Sequence, residues 1–472
     1  MGRKLTIEPV TRIEGHARVT IHLNDDGSVQ QSYMHVDQFR GFEKFSEGRM
    51  YYEMPVITPR ICGICPVSHH LASAKATDRV AGVTPPRPAN LLRELLHMGQ
   101  MIQSHSMHFF HLAAPDLLLG FDADPAIRNV VGIIEANPAL ALKAVALRKY
   151  GQEIIRLLSG RRIHMHWAVP GGVSAPLKEA DRDTILSQVD EMISFIKEGI
   201  EVAKGWMAAN MDVITAFANF PSNYLGMVND GALELYEGPV RLIDKQGGLL
   251  EEFDNQDYLD YVEERVEDWS YLKFPYYKKM GWPEGVYRVA PLGRLNVADR
   301  IATPEANEEF KAFKALSDGP VEPSLAFHYA RLIEDLYAAE RTRELCEDED
   351  ILSEDIRETP TGVTGVGVGC IEAPRGTLWH HYWTNEAGVI EKANLIVATG
   401  NNNWAMNKAV DSVAKTFVDG NNLTEGMLNR VEAAIRCYDP CLSCSTHALG
   451  QMPLIVDVLA PDGHRLERFQ RD

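Results

Sequence analysis

The stretch "RICGICPVSHH", Arg60 to His70, sets Cys62 and Cys65 three positions apart, with a proline directly behind and His69 four residues further on. Far down the chain "DPCLSCSTH", Asp439 to His447, repeats the arrangement with Cys441, Cys444 and His447. Two thiols at this spacing can face one ion, and two such pairs supply four soft donors, a set that suits zinc, nickel, copper(I) or iron. Zinc ribbons place their pairs about 15–20 residues apart, and a metal staple stabilises domains too small for a core of their own. Neither condition holds here. The residue types therefore favour a redox or catalytic metal over structural zinc, without naming it, and both ends of the chain have to meet if one site uses both pairs.

The flanks support a tuned site. Arg60 and His69 bracket the first pair, Asp439 and His447 the second, as outer groups that orient ligands and adjust a metal would do. The remaining cysteines, Cys346, Cys370 and Cys437, have no partner at ligand spacing and read as small core residues. Seven cysteines, an odd number, in a large chain without a secretory signal imply reduced thiols and not a disulfide framework.

Working outward, 472 residues can bury a large core, and 45% hydrophobic with 24% charged residues is ordinary globular composition. A net charge of −19, with no Lys/Arg-dense run, argues against nucleic acid as a partner. The most apolar runs, "PALALKAVAL" and "HLAAPDLLLG", are broken by charges short of the roughly 20 residues of a membrane span. The start, "MGRKLTIEPV", lacks the apolar centre of a secretory signal. Gly2 and Thr6 fit a loose acylation pattern, but "KLTIEPV" reads better as a first strand. The cytoplasm is the expected compartment.

"HARVTIHL" alternates apolar and polar residues, "NDDG" ending at Gly27 supplies a turn, and "SVQQSYMHV" is the returning strand. From Asn90, the expected N-cap, the period turns helical through Leu91, Leu95, Leu96 and Ile102. A second helix runs from Pro138 to Leu158 and stops at Gly160. The longest starts near Ala180, with Ile185, Val189, Met192, Ile193, Ile196, Ile200, Ala203 and Met207 on one face. A hairpin turning at Asn385–Gly388 and a final strand–turn–strand around Pro461–Gly463 follow. These patterns predict an α+β fold, predominantly helical, with a central bundle of long helices and β-rich edges in one integrated body. "GVTGVGVG", Gly362 to Gly369, has neither the spacing nor the following helix of a dinucleotide loop.

The two cysteine motifs resemble those of the large subunit of nickel–iron hydrogenases. The likeness extends through "PVTRIEGHARV", "FRGFEKF", "QSHSMHFFHLAAPD", "WSYLKFPYYKKMG", "PLGRLNV", "EAPRGTLWHHY" and "NLIVATGNNNWAMN". The last four, with the short chain, are most similar to the cytoplasmic, NAD(H)-linked bidirectional group. The resemblance implies that family's large-subunit fold and the reversible heterolytic cleavage of dihydrogen. It also implies a nickel–iron centre carrying carbon monoxide and cyanide on the iron. Cys62 and Cys441 would be terminal nickel ligands, and Cys65 and Cys444 would bridge nickel to iron. Cys441 would be the first proton acceptor and Glu14, in "TRIEGH", the relay beyond it. Arg375, in "EAPRG" with Pro374, would stand over the open metal position, with Asp116 and Asp439 as carboxylate neighbours. Thr399 would bond a cyanide, and His69 would donate towards a bridging thiolate. Glu43, the carbonyl of Leu395 and His447 would hold magnesium. His105, His108 and His111 are expected as satisfied core histidines.

The same resemblance implies an iron–sulfur small subunit, flavin- and cluster-bearing diaphorase subunits that bind FMN and NAD, nickel-insertion factors and a maturation endopeptidase. Residues 1–447 would form the catalytic body, and residues 448–472 an extension cut off after metal insertion. Two other readings compete: a structural or quinone-site subunit related to respiratory complex I, and a zinc-stapled scaffold. The first relative lacks the four-thiolate site that is complete here; the second would hold one zinc and no redox activity.

Overall fold

The computed structural model describes residues 4–445 and, as backbone, the strands Leu454–Leu459 and Arg465–Arg471. At the N-terminus β1 (Lys4–Ile7), β2 (Arg18–Leu23) and β3 (Val29–His35) form an antiparallel sheet, as the alternating pattern predicts. Val19 and Ile21 of β2 and Met34 of β3 are buried.

Helix α1 (Pro66–Val80) follows the first cysteine pair directly. The central bundle comprises α2 (Arg87–Met107), α3 (Pro138–Ser159), α4 (Glu179–Ala209) and α5 (Ala326–Glu347). α2 begins three residues before the expected cap: Pro86 and Pro88 take the first turn, and the Asn90 side chain donates to the Pro85 carbonyl at 3.3 Å. Proline at a helix start costs no hydrogen bond and presets φ, which outweighs the capping preference of asparagine. α3 meets its expected limits, with the Asn137 side chain accepting from the Leu140 amide and Gly160 at φ 72°. α4 buries the predicted stripe from Ile185 to Met207. α5 is buried on nearly every side, Arg331, Glu334 and Asp335 included. It therefore has no apolar stripe for a periodicity argument to find. α2 and α3 approach closely: a Cβ on Gly151 would lie 2.6 Å from the Gly99 carbonyl oxygen and from the Gln103 nitrogen.

The sheet that faces α1 consists of β4 (Val366–Ala373), β5 (Gly376–Thr384) and β6 (Ile390–Ile396), antiparallel throughout. β4 and β5 are joined by two residues, Pro374 and Arg375, and the β5–β6 turn falls at the predicted Asn385–Gly388. The glycine run has a packing explanation. Gly367 and Gly369 share one face of β4, and a Cβ on them would lie 2.1 Å from the Ala76 carbonyl oxygen and 1.9 Å from that of Ala72. The strand thus rests on the backbone of α1, which only glycine permits. α6 (Asn403–Phe417) seals the edge of β3, where Asn407 and Asp411 accept from the Met34 and Ser32 amides at 2.9 Å each. α7 (Glu425–Arg436) leads into the second cysteine pair. The tail forms the expected two-stranded unit, Leu454–Leu459 against Arg465–Arg471.

Gly369→Ala should lower stability by about 3 kcal/mol or more, because neither backbone can yield. Gly362→Ala, where the added carbon meets nothing within 4 Å, should stay within about 0.5 kcal/mol. Denaturant unfolding of the two variants checks both; equal midpoints would contradict this packing.

Candidate metal centre

The two cysteine pairs meet. The four sulfur atoms of Cys62, Cys65, Cys441 and Cys444 all lie within 4.8 Å of one another, and all four residues are buried. Sγ–Sγ distances are 3.2 Å for Cys62–Cys441, 3.4 Å for Cys65–Cys444 and 2.8 Å for Cys441–Cys444. These exceed the about 2.05 Å of a disulfide, and none of the four is disulfide-bonded. Locally, Cys62 ends a tight turn in extended conformation, and Cys65 stands immediately before Pro66, the first residue of α1. Cys62 Sγ accepts from the amides of Ile64 at 3.2 Å and Cys65 at 3.5 Å. On the other side Cys441 forms a single parallel bridge with Glu14, closed by bonds from the Glu14 amide to the Pro440 carbonyl and from the Leu442 amide to the Glu14 carbonyl. Gly15, at φ 81°, makes the approach possible, since a Cβ there would strike Leu442 Cβ and the Ser443 nitrogen at 2.9 Å.

Bonds from Cys441 and Cys444, then Cys65, hold the Cys62 thiol well below its ordinary pKa. Burial, followed by the thiol contacts, pushes Cys441 well above it, and burial also raises Cys444. The chain alone thus favours one thiolate in this cluster and resists others. A cation of soft character is what would let all four ionise.

Around the sulfurs, Arg375 is carried in by the β4–β5 turn. Its Nε donates to the Asp439 carbonyl at 2.6 Å and its Nη2 to Asp439 Oδ1 at 3.0 Å. Burial opposes the charge, but Asp439 and the thiols more than restore it. Asp439 holds φ 51°, a left-handed value that aspartate tolerates better than most residues. Thr399 Oγ1 accepts from the Cys441 amide at 3.0 Å, which leaves its proton free to donate elsewhere. Glu14 Oε2 accepts from Cys441 Sγ at 2.9 Å and from the Ser443 amide at 3.1 Å.

Asp439 stands beside Arg375 as expected, but Asp116 bonds Arg12, Arg436 at 2.7 Å and Asn429 at 3.0 Å. Although burial opposes ionisation, Arg436 and Arg12 hold the Asp116 carboxyl below its usual pKa. The described bond of His69 runs from Nδ1 to His380 at 3.1 Å, in a chain that continues through Tyr382 to Ser73. Arg60 turns outward to His166 at 3.2 Å. Glu43 Oε1 accepts from the Leu395 amide at 2.8 Å, so these two expected magnesium residues are neighbours; burial raises the Glu43 carboxyl to about 7. Pro374 is buried beside Arg375, its carbonyl accepting from Arg294 at 3.4 Å. His447 lies outside the described residues. His105 bonds Glu334 at 3.0 Å and His108 the Arg436 carbonyl at 2.8 Å, as core histidines do; His111 is half-buried. Sequence reasoning passed over Arg12, Gln100, Gln103 and Arg436. Nothing local marks Arg12 or Arg436, whereas two glutamines three apart on a helix that is otherwise buried are a readable signal.

Four buried thiols beside a fixed guanidinium, with a carboxylate bonded to one sulfur, form a group able to hold a soft metal ion. The family described as nickel-dependent hydrogenase matches residues 40–126 and 236–447, and a HoxL-like description matches residues 4–39. The NAD-reducing hydrogenase HoxS subunit beta of Cupriavidus necator is 46% identical over the full length of both chains. One chain of the F420-non-reducing hydrogenase vhc of Methanococcus voltae is 43% identical over 98% of this chain and 99% of its own. The crystal structure of an NAD+-reducing [NiFe]-hydrogenase in the H2-reduced state superposes with a TM-score of 0.92 at 45% identity, covering 94% of this chain and 99% of that one. The Ni-Fe-Se hydrogenase of D. vulgaris Hildenborough shares the fold at a TM-score of 0.78 and 22% identity. The chain belongs to the nickel-dependent hydrogenase family and is a hydrogenase large subunit, with a nickel–iron centre at the four cysteines. The complex I-related and zinc-scaffold readings are not favoured.

Asp116→Asn should cost about 3–5 kcal/mol at neutral pH, since Arg12 and Arg436 lose their shared carboxylate. The folded pKa is depressed, so this stabilisation is present above the unfolded value near 3.9 and lost as pH falls below it. Wild-type and variant unfolding curves should therefore converge in acid. A pH-independent difference would contradict the ion-pair account.

Proposed function

We propose that this chain is the hydrogen-cleaving subunit of a cytoplasmic, NAD(H)-linked hydrogenase. The observation that carries the proposal is the contact of Cys441 Sγ with Glu14 Oε2 at 2.9 Å, inside the four-thiol cluster. Cys62 and Cys441 would be terminal donors to nickel, and Cys65 and Cys444 would be shared with an iron bearing carbon monoxide and cyanide. When bound, the metal pair supplies a soft, electron-rich acceptor at which dihydrogen parts heterolytically.

The chain's own residues manage the proton and the charge. Cys441 Sγ receives the proton, and Glu14 Oε2, already in bonding reach, takes it on. The Ser443 amide fixes that oxygen, while Glu14 is itself only partly buried and so can hand the proton outward. Arg375 cannot swing away, because two bonds to Asp439 hold it; it keeps a positive charge beside the sulfurs. The Thr399 hydroxyl, oriented by the Cys441 amide, is available to one cyanide.

Electrons leave through other chains. Among the described residues the four cysteines are the one cluster of metal-ligating type, and Cys346, Cys370 and Cys437 are scattered in the core. Flavin-bearing diaphorase subunits and an iron–sulfur small subunit would carry electrons to NAD, in keeping with the full-length likeness to the HoxS beta chain. Cytoplasmic residence accords with seven cysteines outside any disulfide, and among the described residues no helix is long and apolar enough to cross a membrane. Magnesium would sit at Glu43 and Leu395, where a half-buried carboxylate whose ionisation is opposed by burial offers an oxygen to a hard cation, with His447 as third ligand. Residues 1–447 would be the mature body. Insertion factors would load nickel, and an endopeptidase would remove residues 448–472.

Glu14→Gln in the assembled enzyme keeps the hydrogen bond from Ser443 but cannot take a proton. Hydrogen–deuterium exchange activity with D2 should fall by about 10²-fold or more, with nickel and iron contents unchanged. Wild-type exchange by this variant would rule out the relay.

A further inference from the structure

The side chains of Gln100 and Gln103 converge on one backbone atom. Gln100 Nε2 donates to the Ile64 carbonyl oxygen at 3.0 Å and Gln103 Nε2 to the same oxygen at 2.7 Å. Both glutamines are buried, three residues apart on one face of α2. Gln103 is held in turn from behind, where Gln152 Nε2 donates to its Oε1 at 3.2 Å. Beside Gln152, Gly151 brings the α3 backbone so close that a Cβ would lie 2.9 Å from Gln103 Cβ.

The Ile64 carbonyl belongs to the same peptide unit as the Cys65 amide. In a planar trans peptide the C=O and the N–H point in opposite directions. Fixing the oxygen towards α2 therefore fixes the Cys65 N–H towards Cys62 Sγ, which it meets at 3.5 Å, next to the Ile64 N–H at 3.2 Å. A rotated peptide would instead aim a carbonyl dipole at the sulfur, and would leave two buried glutamine amides without acceptors.

We infer that Gln100 and Gln103 are positioning residues of the metal centre: they clamp the Ile64–Cys65 peptide so that its N–H stays bonded to the Cys62 sulfur. An N–H bond to a metal-bound thiolate withdraws electron density from it and shifts the centre's potential upward. The glutamines thus set how electron-rich the Cys62 sulfur is without touching it. This rests on the reading of Cys62 as a nickel ligand.

The test uses Gln100→Met, Gln103→Met and the double variant, which keep volume and remove the donors, with Ser106→Ala as a control on the same helix. In the metal-free chain, amide hydrogen exchange is read on the segment from Cys62 to Pro66, whose exchangeable amides are only those of residues 62–65. The double variant should exchange there at least tenfold faster than wild type, the single variants less so, and the control not at all. In the matured enzyme the infrared band of the iron-bound carbon monoxide should move to lower wavenumber in the same order. Unchanged exchange in the double variant would overturn the clamp. Faster exchange with an unmoved band would overturn the tuning role and leave the clamp standing. A wild-type enzyme with no such band would instead count against the nickel–iron reading, while the exchange result would still decide the clamp. Should the double variant not fold, Gln103→Met alone, which loses the shorter bond, decides by the same criteria.

Discussion

Four sulfur atoms within 4.8 Å of one another, all in buried residues, impose the constraint on which the rest of the fold depends. Buried thiols gain little from contact with each other, and buried thiolates repel. The cluster persists because each cysteine is anchored by backbone elements that are themselves over-determined. Cys62 and Cys65 are set by a tight turn, by Pro66 and by α2. Cys441 and Cys444 are set by the bridge to Glu14 and by the Arg375–Asp439 contact. The β4–β5 turn that delivers Arg375 is positioned in turn by the glycine face of β4 on α1, the helix that begins at Cys65. Removing repulsion by a soft cation then completes a site that the chain has already assembled.

The second layer divides the work by side. On the N-terminal side Glu14 sits on Cys441, as the proposed relay requires, and Arg12, two residues earlier, ties that segment to Asp116 and hence to Arg436 on α7. The Arg375 side serves charge, with a guanidinium that cannot move and cannot lose its proton in this setting. Deeper, Arg294 bridges Glu334 on α5 and Glu372 on β4 at 2.6 and 2.8 Å, so that helix and strand carry each other's charges. Paired in this way, none of these three buried charges lacks a partner, and removing Arg294 would leave both carboxylates without their guanidinium.

Much of this is legible in the sequence. The strands β1–β3, the limits of α3, the buried stripe of α4 and the β5–β6 turn follow from period and turn chemistry, and the four cysteines follow from motif alone. What stayed hidden has a physical reason in each case. α5 is surrounded by protein, so its polar residues face partners and not water, and no stripe appears. The start of α2 went to proline over asparagine. Within the glycine run Gly362–Gly369, Gly367 and Gly369 serve packing, a use that depends on the position of α1. The described bonds of Asp116 and His69 lead to Arg12, Arg436 and His380, contacts between segments a hundred or more residues apart that no local pattern encodes. Gln100 and Gln103 look like polar interruptions of an apolar helix until the Ile64 carbonyl is seen between them.

The most direct test of the central claim is metal analysis of natively matured protein combined with infrared spectroscopy and nickel-edge X-ray absorption. One nickel per chain with a sulfur-dominated first shell, iron in equal amount, bands of metal-bound carbon monoxide and cyanide, and loss of all of these in Cys62→Ser would bear out the account. Zinc alone in the four-cysteine site, with no such bands in active protein, would contradict it.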